Sequence, residues 1–320
     1  MGIYASIDTG SNAVRLLVAR TGDGVPLVRL RYERTATRLA EGLSFPVKKN
    51  GKKNLWPRNM ELTMQALRRY SEIISSYSGL SGMRAVGTSA LREAGNGEEF
   101  IRRVREQTGI TLEAITHEEE ARLSALGVTV GMDLGGDKSK KTFILDIGGG
   151  STEWMLTEGL SLKRSGSFPI GVVKLAGIAD RLGEGALERE IATFADGLNR
   201  AVFPLPPGTV FIVTGGTAST MAAIDLSFAQ YEHERIHGHE IGLERLAGMF
   251  RTLSLLPLEQ RRHSVPGLEP GRADLILPGL RFIIRIMEKF GLKHVISSDT
   301  GLPEGIILDL GTREKQKNWI

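Results

Sequence analysis

Thr142-Phe143-Ile144-Leu145-Asp146-Ile147-Gly148-Gly149-Gly150-Ser151-Thr152-Glu153 carries an apolar run into an aspartate, three glycines and two hydroxyls, and a second apolar run through Trp154, Met155 and Leu156 follows. The pattern predicts a strand, a turn of phosphate size and a second strand. Glycine suits such a turn because backbone N–H groups must come within hydrogen-bonding distance of the anion, and a Cβ would obstruct the approach. Ser151 and Thr152 add hydroxyl donors. Asp146 ends a buried strand, where open α/β sheets collect ligands, and its carboxylate is the oxygen ligand type that Mg²⁺ accepts. A glycine triplet by itself also has a purely steric reading, since turns between strands use glycine in any case.

A second copy strengthens the phosphate reading. Ile7-Asp8-Thr9-Gly10-Ser11-Asn12 has the same order of apolar strand, aspartate, glycine and small polar residues, and an apolar strand from Ala13 to Ala19 follows it. A third glycine loop, Thr214-Gly215-Gly216-Thr217, follows the apolar run Val210 to Val213 and opens a helix, a geometry suited to an anion or a nucleotide ribose. Two similar halves in 320 residues predict two α/β domains facing one another across a cleft. The expected boundaries are 1–130, 131–300 and a C-terminal helix, 301–320, that returns to the first domain.

Net charge is only +4, and no cysteine occurs, which excludes disulfide and thiolate chemistry. Together with the missing apolar leader, this fits a reducing cytoplasm. No apolar run reaches the roughly 18 residues of a membrane span. Lys48, Lys49, Lys52, Lys53 and Arg58 form a basic stretch that could attract a polyanion, although a solvated surface loop is the favoured reading. Gly2 matches a myristoylation pattern but directly precedes the strand delivering Asp8, where an acyl chain would crowd the core.

Between the hairpins, helices are expected from Pro57 to Tyr77 and from Gly97 to Thr108, the latter capped by Asn96. Thr116 caps another, which opens on Glu118-Glu119-Glu120. Carboxylates in a first helical turn complement the macrodipole, and that accounts for Glu118 and Glu119. Glu120 lies on the side of the sheet expected to carry the phosphate hairpins. Later helices are expected over 185–201, 242–255, 272–290 and 302–310. His233-Glu234-Arg235-Ile236-His237 spells a zinc-protease motif, but Gly238 ends the helix at once and Arg235 puts a charge inside it, so zinc is set aside.

With these turns in place, the chain resembles the exopolyphosphatase and guanosine pentaphosphate phosphohydrolase (Ppx/GppA) family of the actin, sugar kinase and Hsp70 superfamily. The likeness rests on Ile7 to Leu16, Gly87-Thr88-Ser89-Ala90-Leu91-Arg92, Ile115 to Leu123, Leu145 to Glu153, Thr214 to Thr217, and Asp299-Thr300-Gly301-Leu302-Pro303-Glu304-Gly305, in the family's order. It implies two actin-like (ribonuclease H-like) domains around a central cleft, in a short form without the family's C-terminal HD-like domain. It also implies Glu120 as the base positioning water, Arg15 and Arg92 holding phosphate, and Asp8, Asp146 and Glu153 around Mg²⁺ or another divalent cation. Gly10, Ser11, Asn12, Gly148, Gly149, Gly150, Ser151, Thr152, Gly215, Gly216 and Thr217 would bind phosphate. A homodimer is implied; nucleic acid and membrane are not. Two departures stand out: His117 replaces the usual glycine before the glutamates, and Pro303 replaces an arginine.

The residues suit hydrolysis of a phosphoanhydride on their own terms, because that chemistry needs charge neutralisation and an in-line water, with little covalent work for the protein. The expected activity is release of terminal phosphate from inorganic polyphosphate, from guanosine pentaphosphate, or from both. A phosphotransferase such as a kinase, and a non-catalytic polyphosphate or alarmone sensor, are the alternatives.

Overall fold

A computed structural model describes residues 1–22, 25–44, 53–132, 137–228 and 232–317. Lys48, Lys49 and Lys52 of the basic stretch therefore lie outside the described residues. The chain forms two compact units, Met1–Gly127 with Gly301–Ile320, and Val128–Thr300.

The first unit begins with a meander, β1 (Gly2–Thr9), β2 (Ala13–Gly22) and β3 (Val25–Ala36). Helix α1 (Pro57–Ser75), strand β4 (Leu80–Gly87), the single turn α2 (Ser89–Glu93), α3 (Gly97–Thr108), β5 (Leu112–Ala114) and α4 (His117–Gly131) follow. Its sheet has the order β3-β2-β1-β4-β5, with β1 antiparallel to β2 and parallel to β4. Strand alternation sends Ala5, Ile7, Val14, Leu16 and Val18 to one face, against Met64, Leu67 and Tyr70 of α1 and Phe100 and Val104 of α3. The last helix, α12 (Leu302–Lys317), covers the other face: Ile307 packs with Tyr4, Leu17 and Ala19, and Leu302 and Ile306 with Val86, Ile115 and Leu123.

The second unit repeats the plan with β6 (Lys141–Ile147), β7 (Thr152–Glu158), β8 (Ser161–Phe168), α5 (Val172–Leu182), α6 (Glu184–Val202), β9 (Val210–Thr214) and α7 (Gly216–Asp225). It continues with α8 (His233–Ile236), β10 (Glu240–Gly242), α9 (Leu243–Ser254), α10 (Leu258–Ser264), α11 (Ile276–Phe290) and β11 (His294–Ser298). The sheet order is β10-β11-β9-β6-β7-β8. From β8 inward it matches the first sheet strand for strand: a meander, then two parallel strands, with β10 added at the edge. The molecule is thus an α/β protein in which an actin-like, ribonuclease H-like sheet occurs twice.

Three local expectations are corrected. Asn96 precedes α3 but makes no side-chain cap; its Oδ1 accepts from Leu55 N–H (2.8 Å) and its Nδ2 donates to Leu55 O, so it ties two segments together instead. Helix α11 starts at Ile276 because Pro270–Arg272 forms a 3₁₀ turn ahead of it. Helix α5 was not expected at all. Its first turn is anchored by contacts remote in sequence, described below.

Candidate active site

The two hairpin turns close alike. Gly10 N–H donates to Ala13 O (3.1 Å) in one, and Gly148 N–H donates to Ser151 O (3.0 Å) in the other. Each aspartate sits two residues before its glycine, at the end of a strand.

In the β1–β2 hairpin, Asp8 is buried and its Oδ2 accepts from Arg15 Nη1 at 2.7 Å. Its Oδ1 is buried with no hydrogen-bond partner, as are Thr9 Oγ1 and Asn12 Oδ1 nearby in the chain. Burial pushes the Asp8 carboxyl above its ordinary range, and the Arg15 guanidinium only partly offsets this. A buried carboxylate oxygen left without a donor is costly, and a hard cation is the partner type it accepts. On that test Asp8 fits a divalent metal.

In the β6–β7 hairpin, Glu153 stands directly across from Asp146 and is buried, with Ser167 Oγ donating to its Oε1 at 2.8 Å. The glycine triplet is oriented by α5. Val172 N–H donates to Gly148 O (3.0 Å) and Val173 N–H to Gly149 O (3.0 Å). In a trans peptide the carbonyl and the following N–H point opposite ways, so the N–H groups of Gly149 and Gly150 face away from α5. That is the edge an anion would use. Gly171 has to be glycine for this packing, since a Cβ there would run into the Gly148 and Gly149 backbone.

Thr214-Gly215-Gly216-Thr217 leads from β9 into α7, and Gly215 takes a φ of 90°, a left-handed value natural only to glycine. A Cβ on Gly215 would lie 3.2 Å from Asp146 Oδ1, so this loop and the β6–β7 turn adjoin. Sequence reasoning missed Arg272. This buried arginine lies where a Cβ on Gly216 would strike its guanidinium, at the N-terminus of α7. A cation there opposes the helix dipole, and Glu269 Oε2, 3.6 Å from Arg272 Nε, offsets part of that charge. The one available signal was a lone arginine between Glu269 and Asp274 in the stretch entering α11.

Back in the first unit, the three glutamates of α4 separate. Glu118 is exposed, and hydrogen bonds from its own backbone N–H and from Thr116 hold its carboxyl below the usual range. Glu119 pairs with Arg122 (2.9 Å) and Arg84 (3.0 Å). Glu120 is buried, and its Oε2 accepts from Arg92 Nη1 at 2.7 Å. Arg92 comes from α2, whose turn is set by Leu91 and Arg92 N–H groups on Thr88 O, and its Nη1 also donates to Ile115 O (2.7 Å). The first unit thus brings together Glu120 with Arg92, and separately Asp8 with Arg15.

The histidine motif is divided by its geometry. Helix α8 is one turn ending at Ile236; His233 Nδ1 pairs with Asp299 (2.5 Å), whereas His237 Nδ1 accepts from Asp299 N–H (3.1 Å) and its Nε2 meets Gly131 O (3.0 Å).

A twice-repeated actin-like sheet, with glycine loops at strand ends and a buried Glu–Arg pair, is an arrangement suited to the chemistry of phosphoric anhydrides. The comparisons agree. The Ppx/GppA phosphatase family model matches residues 17–314, and the chain belongs to that family. It is 28% identical to exopolyphosphatase 2 of Mycobacterium tuberculosis, over 96% of this chain and 98% of that protein. It is also 28% identical to the bifunctional 3-dehydroquinate synthase/phosphatase of Fusobacterium nucleatum over 96% of this chain, which spans 46% of that longer protein. The solved Aquifex aeolicus Ppx-GppA enzyme superposes with a TM-score of 0.78 at 29% identity, covering 96% of this chain and 99% of that one. Among the described residues no helix is long and apolar enough to cross a membrane.

Proposed function

We propose that this protein is a divalent-cation-dependent exopolyphosphatase that releases terminal phosphate from inorganic polyphosphate. The observation that carries the reading is Glu120. This carboxylate is buried near the start of α4 and is held by Arg92. The name of the mycobacterial relative, matched over nearly its whole length, favours polyphosphate over guanosine pentaphosphate.

In this mechanism a water attacks the terminal phosphorus in line. Glu120 takes the water's proton, the P–O bond to the bridging oxygen breaks, and the shortened chain leaves with the electron pair. In the first unit Arg15, Arg92 and the N–H groups of the Gly10–Asn12 turn are the groups suited to neutralise phosphoryl oxygens, and in the second unit the N–H groups of the turns at Gly148–Thr152 and Gly215–Thr217 are. A bound divalent cation would supply further charge neutralisation, and the carboxylates suited to hold one are Asp8 in the first unit and Asp146 with Glu153 in the second.

The test is phosphate release by the purified protein with Mg²⁺, offered tripolyphosphate, long polyphosphate and guanosine pentaphosphate in parallel. Release from polyphosphate is expected, with Glu120→Gln lowering kcat by about 10²–10⁴. A guanosine pentaphosphate preference would reassign the substrate, and an unchanged rate in the variant would remove Glu120 from the chemistry.

A further inference from the structure

His117 stands where the resemblance places a glycine, and the geometry gives it a task. The Arg92 guanidinium is held by three acceptors within one short segment: Ile115 O and Glu120 Oε2 both take Nη1, at 2.7 Å each, and His117 Nδ1 takes Nη2 at 2.8 Å. The first two occupy the two hydrogens of Nη1, and the third engages the second nitrogen. With the Glu120 bond released, a single bond from Nη1 to Ile115 O would leave the guanidinium plane free to swing, and the bond from Nη2 to His117 fixes it. Arginine is a donor only, so Nδ1 is the acceptor and the neutral ring carries its proton on Nε2.

We propose that His117 is a positioning residue for the phosphoanhydride hydrolysis, setting the orientation of Arg92 and through it that of Glu120. The inference rests on the roles proposed above for those two residues. When Glu120 turns from Arg92 toward the attacking water, His117 is the side chain that still holds the guanidinium. Arg92 then presents its remaining donors, including a buried Nε–H without a hydrogen-bond partner, in one fixed direction. His117 thereby supports kcat, because the orientation matters when the water is activated.

The experiment pairs two substitutions. In His117→Asn the amide oxygen replaces Nδ1 as acceptor; in His117→Leu nothing does. With Mg²⁺ and tripolyphosphate, His117→Leu is expected to lower kcat about tenfold with KM within about twofold, and His117→Asn to recover kcat to within about threefold of the parent. Thermal melting checks that both fold. Equal rates in all three proteins, or equal losses in both variants, overturn the proposal.

A second readout needs no turnover. Nitrogen-15 NMR of the histidine rings is expected to show His117 protonated on Nε2 alone, and Arg92→Met to release it into a mixture of tautomers. A proton on Nδ1 in the parent protein overturns the proposal. Glu120→Gln run alongside separates the two ideas: full activity there removes the proposed base, while the tautomer and the Asn/Leu contrast still report on His117.

Discussion

The two glycine hairpins have the same strands, the same turn hydrogen bond and an aspartate at the same place, yet differ in what faces that aspartate. Asp8 lies opposite Arg15, and Asp146 opposite Glu153. One turn holds an ion pair, and the other two carboxylates in direct cross-strand register. Like charges so placed repel one another unless a cation lies between or beside them. A repeated backbone thus carries two electrostatic settings; under the function proposed above, the Arg15 guanidinium of the first hairpin would face phosphate, and carboxylates of both hairpins would hold a cation.

The largest expected effect comes from making the second hairpin resemble the first. Glu153→Arg should lower phosphate release by about 10²–10³ and abolish its response to Mg²⁺; full Mg²⁺ dependence in a titration would end the comparison. Next in size, Arg272→Met should raise KM for polyphosphate about tenfold, the scale of one charge-assisted hydrogen bond, with kcat less affected. Steady-state kinetics decides that.

Asp8 sharpens the contrast through stability. Because burial raises its folded pKa above the ordinary 3.8, it favours the folded state below that value and loses this contribution as pH rises through the folded pKa. Added Mg²⁺ should counter the loss at neutral pH and raise the melting temperature by a few degrees, roughly the effect of a saturating ligand. In Asp8→Asn that shift should shrink or vanish. The smallest effect belongs to Glu119, which sits outside both hairpins. Its carboxyl is lowered from 4.5 to about 2, chiefly by the Arg122 hydrogen bond. It therefore adds stability above pH 4.5 that is lost as pH falls toward 2. Since Arg122 is 41% exposed, solvent screening leaves about 1 kcal/mol, and Glu119→Gln should show it as a lower urea midpoint at pH 7 but not at pH 2.

The fold was legible because its decisive signals are local. Strand alternation, aspartate and glycine in fixed order mark both hairpins, and repetition of that order predicts a repeated sheet. Glu120 stood out from Glu118 and Glu119 for the same reason, by its place after a strand end. What escaped depends on distant backbone. Helix α5 begins Gly171-Val172-Val173 and looks poor as a helix start, but its first N–H groups are satisfied by carbonyls of the glycine triplet. Arg272 resembles any arginine until the chain folds it against Gly216. His117 registered as a departure, and its bond to Arg92 is visible only in the folded chain.

The first unit is built from two stretches of chain separated by the whole of the second, and this has a consequence for biosynthesis. Tyr4, Leu17 and Ala19 leave the ribosome well before the helix residue that covers them, Ile307, is made. At about 5–20 residues per second the wait is about 15–60 s. Throughout that time one face of the first sheet lies bare, and the continuous stretch Val128–Thr300 is completed only just before the covering helix is made. The nascent chain should therefore be most dependent on chaperones at the bare face of its first sheet.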